Sequence, residues 1–407
     1  MKRIVSICFF ICTMAGISAC TENRENTEIF SNGKSRIENE SQTPETVADT
    51  ERLRIESYEN GGILTVKPEP NGIKDVLELT DENTVDFYYW SDEIAIVGKG
   101  EDNHTYYGPV SETKTLYFYD LSRGEIIDQF NTIEGVFVFS AVPWEDGILY
   151  TTMPENMDYS DTGQQWQVVY VDHESQQIVD SGMCRTTPMG RYIPWVKMSG
   201  ETPVYVYENV EGDTQYSCGL KGIALYKDEI IVHSLDIYEG TDKKLMDSNF
   251  RSNGDEFCYA LELPETTQIL YVVRNLKEVL GELLVDPYIG HCEMTDNYFI
   301  YVNDPQDGKG WCMVAYDFEN DTRVVSRTGK QMYRFRSTGE HFFCVDDYFN
   351  LFYGTITSEG ITLQTVDMGE EFNNEPLFCY PLNEKEMFIV FMHDDGTDSY
   401  WNCQIQF

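Results

Sequence analysis

Residues 145–182 read EDGILYTTMPENMDYSDTGQQWQVVYVDHESQQIVDSG. Short runs rich in β-branched and aromatic residues, Ile148–Thr152, Gln165–Val171 and Gln177–Asp180, alternate with breaks that carry Pro, Gly, Asp, Asn and Ser. No run is long enough, or spaced at 3.6 residues, to make a helix. The stretch therefore predicts strand, polar loop, strand, tight turn, strand.

The same phrase recurs along most of the chain. Second strands of successive units are predicted from Glu93, Gly147, Pro203, Glu256, Asn297, His341 and Met387. Third strands follow from Thr115, Trp166, Lys221, Gln268, Trp311, Asn350 and Trp401. First strands precede them at 85–90, 136–142, 192–198, 288–294, 332–338 and 377–382, with the weaker 245–252 in the fourth unit. Fourth strands are expected at 125–130, 176–182, 229–235, 278–285, 322–328 and 361–367, so the seventh unit lacks one. GGILTVKPE (61–69) precedes the first unit and has no other partner, so it is expected to complete the last. Unit spacings of roughly 40 to 55 residues suit four-stranded blades. The predicted fold is all-β: a seven-bladed β-propeller closed by an N-terminal strand. A β-sandwich also uses many short strands, but it predicts neither the fixed four-strand phase nor the missing last strand. Residues 276–287 also read as a short helix, although the phase requires a strand there.

Turns repeat too. Asp120-Leu-Ser-Arg-Gly124, Asp172-His-Glu-Ser and Asp317-Phe-Glu-Asn-Asp321 each open on an Asp able to accept backbone N–H groups two residues on. The phrase LYFYDLSRGEII resembles the blades of bacterial TolB-like and WD-type propellers, a likeness of structure that spans most of the body. The WD dipeptide itself does not recur.

The N-terminus reads as an address. Met1-Lys2-Arg3 is basic and residues 4–16 are apolar, a run too short for a spanning helix. Ile17-Ser18-Ala19-Cys20 resembles the lipobox of bacterial lipoproteins. That resemblance implies a signal peptide over 1–19, a diacylglycerol on Cys20 and attachment to the extracytoplasmic side of a bacterial membrane. An ordinary secretory peptide cut elsewhere is the alternative. Residues 20–55 are polar and acidic, with too few apolar residues to bury, and are expected to be a disordered tether to a single propeller domain over 56–407.

Seventy acidic residues stand against 29 basic ones, a formal charge of −41. Such a field repels nucleic acid and anionic lipid, so no nucleic-acid partner is expected. With 41% hydrophobic and 14% aromatic residues there is ample core material.

Three loops between second and third strands pair an acid and a glycine with a Trp: Asp161…Trp166, Asp307…Trp311 and Asp395…Trp401. They have two readings. Asp and Gly make the turn while Trp wedges between blades, or the loops form a ligand face on one side of the ring. SDTGQQW partly resembles the Asp-box of sialidase-like propellers, but it lacks the preceding Ser at the family's spacing and lies before, not after, the third strand. Asp394-Asp395-Gly396-Thr397-Asp398 and Asp158…Asp161 offer oxygen ligands to Ca²⁺ without the full EF-hand spacing, and no other cofactor is expected. The six histidines form no zinc motif. Eight cysteines beyond Cys20 include no C-x-x-C and fall mostly inside strands. Those on first and third strands of one blade are about 9–10 Å apart, too far for a disulfide, so they read as buried thiols.

The expected function is a non-catalytic surface lipoprotein that binds a protein, peptide or glycan. One alternative is a carbohydrate-active hydrolase or lyase; a sialidase-like version would use Arg191, Arg251, Arg334 or Arg336 and the Tyr207-Glu208 pair. The other is an accessory subunit of an envelope complex.

Overall fold

A computed structural model describes most of residues 56–407, the main exceptions being 102–112, 155–163, 192–194, 241–244, 247–250, 253–255, 263–267, 275–277, 286–288, 373–376 and 394–396, and the side chains of 235–290. The expected signal peptide, lipobox and tether lie outside the described residues. So do the side chains of Asp161, Arg191, Arg251 and Asp395 and the acidic clusters around 158 and 394.

The described strands form seven antiparallel units of four. Blade 1 is Asn83–Trp90, Ile94–Glu101, Thr115–Asp120 and Glu125–Asn131; blade 2 is Val136–Trp144, Gly147–Pro154, Gln164–Val171 and Gln176–Cys184. Blade 3 is Val196–Ser199, Thr202–Glu211, Gln215–Tyr226 and Glu229–Gly240. In blade 4 the first strand is broken into Leu245–Met246 and Arg251–Ser252, both paired with Glu256–Glu262, and Gln268–Arg274 and Glu278–Val285 follow. The segment readable as a helix is thus a strand. Blade 5 is Ile289–Met294, Tyr298–Asn303, Cys312–Asp317 and Thr322–Arg327; blade 6 is Tyr333–Thr338, His341–Val345, Leu351–Thr357 and Gly360–Asp367. Blade 7 is Leu377–Pro381, Glu386–Met392, Asp398–Gln406 and, from the other end of the chain, Glu59–Pro70.

First strands of successive blades lie against one another from blade 1 round to blade 7. The circuit closes where Phe87 of blade 1 stacks on Tyr380 of blade 7, ring centroids 4.8 Å apart. First strands therefore line the axis and fourth strands the rim. Between blades the alternating apolar faces meet as continuous clusters. Ile96, Leu116 and Phe130 pack with Ile148, Tyr150 and Val169 between blades 1 and 2. Phe343, Tyr353 and Val366 pack with Leu377, Ile389 and Phe391 between blades 6 and 7.

The outer turns follow the Asp pattern. Asp120 accepts N–H groups of Ser122 and Arg123 at 2.9 and 2.8 Å; Asp172 does the same for Glu174 and Ser175, and Asp317 for Glu319 and Asn320. The Ser122 hydroxyl and the Arg123 N–H hold the Asp120 carboxyl below its ordinary range.

The N-terminal strand does more than complete blade 7. Its second half pairs antiparallel with Asp398–Gln406 (Val66 opposite Ile405), while its first half pairs parallel with the rim strand of blade 6 (Leu64 opposite Val366). Glu56–Ser57 pairs parallel with the rim strand of blade 5 at Ser326 and Arg327. One segment thus bonds three blades. At its exit Asn71 donates to Asn402 Oδ1 (3.1 Å), and its Oδ1 accepts from Ile73 N–H (2.9 Å) and the Tyr119 hydroxyl (3.2 Å), joining the strap to blades 7 and 1. The Val85 N–H donates to the Tyr400 hydroxyl at 3.2 Å across the same seam.

Leu64 is buried between blades 6 and 7, whereas its neighbour Ile63 is 71% exposed. Leu64→Ala is expected to cost about 2–4 kcal/mol in denaturant unfolding, and Ile63→Ala within about 0.5 kcal/mol. Equal losses at both positions would contradict this register.

Cys218, Cys292, Cys312, Cys344, Cys379 and Cys403 are free and buried. Burial pushes the thiols of Cys312, Cys344 and Cys379 up, and that of Cys403 to about 12. Titration with an aromatic disulfide should leave these six unreacted in the native protein and release them on unfolding.

Candidate functional site

The loop tryptophans come first. Trp166 has no exposed surface and packs edge-on against Tyr205 of blade 3, centroids 6.2 Å apart. Gly182 on the neighbouring rim strand leaves it room, since a Cβ there would lie 2.5 Å from the indole. Around it Lys221 donates to Asp180 at 2.7 Å, lies over the Tyr207 ring at 4.6 Å and over Trp166 at 5.7 Å, while the Tyr205 hydroxyl donates to the same carboxylate. Trp166 is therefore an inter-blade wedge beside a largely buried ion pair, with no surface to offer on an open face. Tyr207 is likewise buried in this packing, 3% exposed, away from the axis.

Trp311 is half-buried against the cluster between blades 5 and 6. Asp307, in its loop, pairs with Arg327 at 2.7 Å and accepts the Lys309 N–H at 2.9 Å. Trp401 donates from Nε1 to Ser399 Oγ at 3.0 Å and meets Phe372 edge-on at 4.9 Å. The three tryptophans belong to three different core clusters, so the described part of these loops does not converge on one site. Among the described residues no three His, Cys, Asp or Glu side chains are grouped to hold a metal.

A different set converges at the axis. The first strand of blade 6 carries a bulge, two residues (Arg334, Phe335) against the single Cys344 of its partner, and Arg334 sits at φ 53°. Bulged strands re-aim side chains, and a non-glycine residue in this left-handed region costs about 1–2 kcal/mol. Phe335 turns into the core and stacks on Phe342 at 5.8 Å. Arg334 reaches blade 7, where Nη1 donates to the Leu377 carbonyl and the guanidinium lies 4.1 Å from the Phe378 ring and 5.5 Å from that of Phe349. Arg336 donates from Nη1 to the Phe335 carbonyl at 2.8 Å and lies 5.4 Å from the Trp90 ring of blade 1. Its Nε is buried without a hydrogen-bond partner among the described residues. Trp90 meets Tyr380 edge-on at 4.8 Å.

Two guanidinium groups from one strand thus stand among the rings of Phe87, Trp90, Phe378 and Tyr380, drawn from blades 6, 7 and 1. Each has five N–H donors. Among the described residues no carboxylate lies within ion-pair distance of either, but Asp86 acts on Tyr380 together with both arginines, so an acidic group stands near the same rings. Burial, with repulsion from Arg336, lowers Arg334 to about 10, and burial pushes Tyr380 up to about 12 against the pull of both arginines. Arg334 therefore stays cationic near neutrality. Such a group exchanges no proton there, but it holds anions and flat rings well.

By chain direction, the first strand starts on the side of the ring where second strands end. Arg334 is near that start, and the loop Asp346–Asn350 opens there. Asp346, buried, accepts N–H groups of Tyr348 and Asn350 at 2.9 and 3.1 Å, leaving Tyr348 60% exposed beside Phe349.

Removing Lys221 leaves Asp180 buried without its cation, so Lys221→Met is expected to cost about 3 kcal/mol. Lys67→Ala, in the exposed Lys67–Glu69 pair, should cost less than about 1 kcal/mol by the same unfolding measurement.

No protein-family model and no curated protein sequence matches the chain. Solved structures do. An oligogalacturonate lyase in complex with manganese is 10% identical with a TM-score of 0.50, covering 86% of this chain and 98% of that one. An acylaminoacyl peptidase in complex with Z-Gly-Gly-Phe-chloromethyl ketone is 8% identical with a TM-score of 0.50, covering 84% of this chain and 53% of that one. The β-propeller domain of the Trilobed protease from Pyrococcus furiosus is 9% identical with a TM-score of 0.45, covering 68% and 84%. At these identities the likeness is one of fold: the chain is a β-propeller.

Proposed function

We propose that the protein is a recognition module of the bacterial envelope, lipid-anchored through Cys20, which binds its partner at the axial mouth between blades 6, 7 and 1. The observation that carries the reading is the Arg334–Arg336 pair among aromatic rings, held by a bulge at φ 53°. Backbone strain and partly buried charge both cost stability, and both concentrate where a fold serves a ligand. The groups gathered there suit holding rather than proton transfer, because an arginine at about 10 is not a general base near neutrality. The anchor is supported by the basic end, the apolar run and the Ile17-Ser18-Ala19-Cys20 sequence. The acidic tether would let the ring stand clear of the headgroups.

Two measurements test it. Metabolic labelling with an alkynyl fatty acid should mark the native chain and not Cys20→Ser; label on both, or on neither, overturns the anchor. A photo-crosslinking residue at Tyr348, on the mouth side, should capture a partner in intact cells, and one at Ile178, 53% exposed on the blade 2 rim, should not. Adducts at Tyr348 should disappear in Arg336→Gln. Equal capture at both positions would place recognition elsewhere.

A further inference from the structure

Among the described residues the two axial arginines have no carboxylate within ion-pair distance, although Asp86 acts on Tyr380 alongside both of them. Arg334 and Arg336 lie two residues apart on one strand and repel each other. Among the described residues each makes one hydrogen bond, to a main-chain carbonyl. Aromatic faces offset part of the desolvation, but several N–H donors remain for a ligand. An anion between the two would cancel the repulsion and accept those donors at once.

The rest of the chain narrows the class. A formal charge of −41 opposes every approaching anion in proportion to its charge. The field is screened beyond about 8 Å at physiological salt, so a short-range double-arginine site can still win a single negative charge, while polyanions and dianions meet a larger barrier. A guanidinium fork matches a carboxylate with two parallel hydrogen bonds. Around it, the rings of Tyr380, Trp90, Phe87 and Phe378 keep partial exposure, with Phe87 covering one face of Tyr380 and Arg334 lying over Phe378. Flat walls with a few placed polar groups suit a ring-shaped ligand.

We propose that Arg334 and Arg336 form an anion subsite that takes the carboxylate of a small, singly charged sugar acid, its ring lying against Tyr380 and Trp90. This rests on the recognition reading above and names the ligand class for the same mouth. Arg336 is the central contact, because its hydrogen bond goes to its own strand and its Nε has no protein partner among the described residues. Arg334 both faces the ligand and ties blade 6 to blade 7 through Leu377.

The test is calorimetric titration of the full chain in detergent with sodium D-galacturonate and D-glucuronate. D-galactose and D-glucose serve as neutral counterparts, acetate as a carboxylate without a ring and inorganic phosphate as a higher-charge anion. At least one sugar acid should bind, its neutral counterpart and acetate at least about tenfold more weakly. Arg336→Gln should lose about tenfold or more, Arg336→Lys less, and Trp90→Ala should weaken the sugar acid but not acetate. Arg334→Gln removes an inter-blade bond and is read only where its thermal unfolding matches that of the native chain; Arg336→Gln carries the test independently. Equal affinity for acid and neutral sugar overturns the carboxylate assignment. Phosphate binding as tightly as the acid overturns the ligand class, and an Arg336→Gln variant that binds normally overturns the site. No sugar-acid binding, with capture at Tyr348 intact, overturns this inference and leaves the recognition reading standing. Loss of both overturns both.

Discussion

Twisted sheets stacked face to face around an axis bury both faces of every blade only when the last packs against the first. Each blade buries its two faces against its neighbours, so an open ring would expose one apolar face at each end. In this protein Val66 opposite Ile405, Phe87 on Tyr380 and the Asn71 bonds close that seam. The blade 6–7 and blade 7–1 clusters depend on that closure. So does the axial mouth, whose arginines come from blade 6 and whose rings come from blades 7 and 1.

The rim and the axis follow opposite rules. At the rim, turns are satisfied locally: one Asp side chain caps its own hairpin, as at Asp120, Asp172 and Asp317. At the axis the first strands of blades 1, 2, 5 and 6 all break register with their neighbours. A bulge gives up ladder hydrogen bonds and turns side chains out of strict alternation. In blade 6 it lets Arg334 and Arg336 cross to other blades while Phe335 stays in the core. A local rule is broken where something other than packing is served.

Much of this was legible in the sequence because much of it is local. Alternating apolar runs and Asp-opened turns set the strands, and one missing rim strand pointed to residues 61–69. The parallel bonds from the strap to blades 5 and 6 were not legible, because a strand's second edge is decided by what the ring brings beside it. Trp166 was ambiguous for a related reason: a loop-closing Trp looks the same whether it faces solvent or Gly182 and Tyr205. The arginine pair is visible as Tyr333-Arg-Phe-Arg336 on an acidic chain. What gives it meaning, Leu377, Phe378 and Trp90, comes from other blades, beyond any local pattern.

The strap also sets the order of assembly. Residues 59–70 leave the ribosome before any blade, yet their antiparallel partner, Asp398–Gln406, follows only after all the intervening blades. Joining segments so far apart in the chain carries a loop-closure cost of about 5 kcal/mol on top of its constant part, and contacts of such long separation form slowly. Until they form, the rim of blade 6 and the third strand of blade 7 are open edges, able to pair with another chain. The strap is made before any blade yet can be seated in blade 7 only after its distant partner exists, and that interval is the window in which two copies can exchange straps.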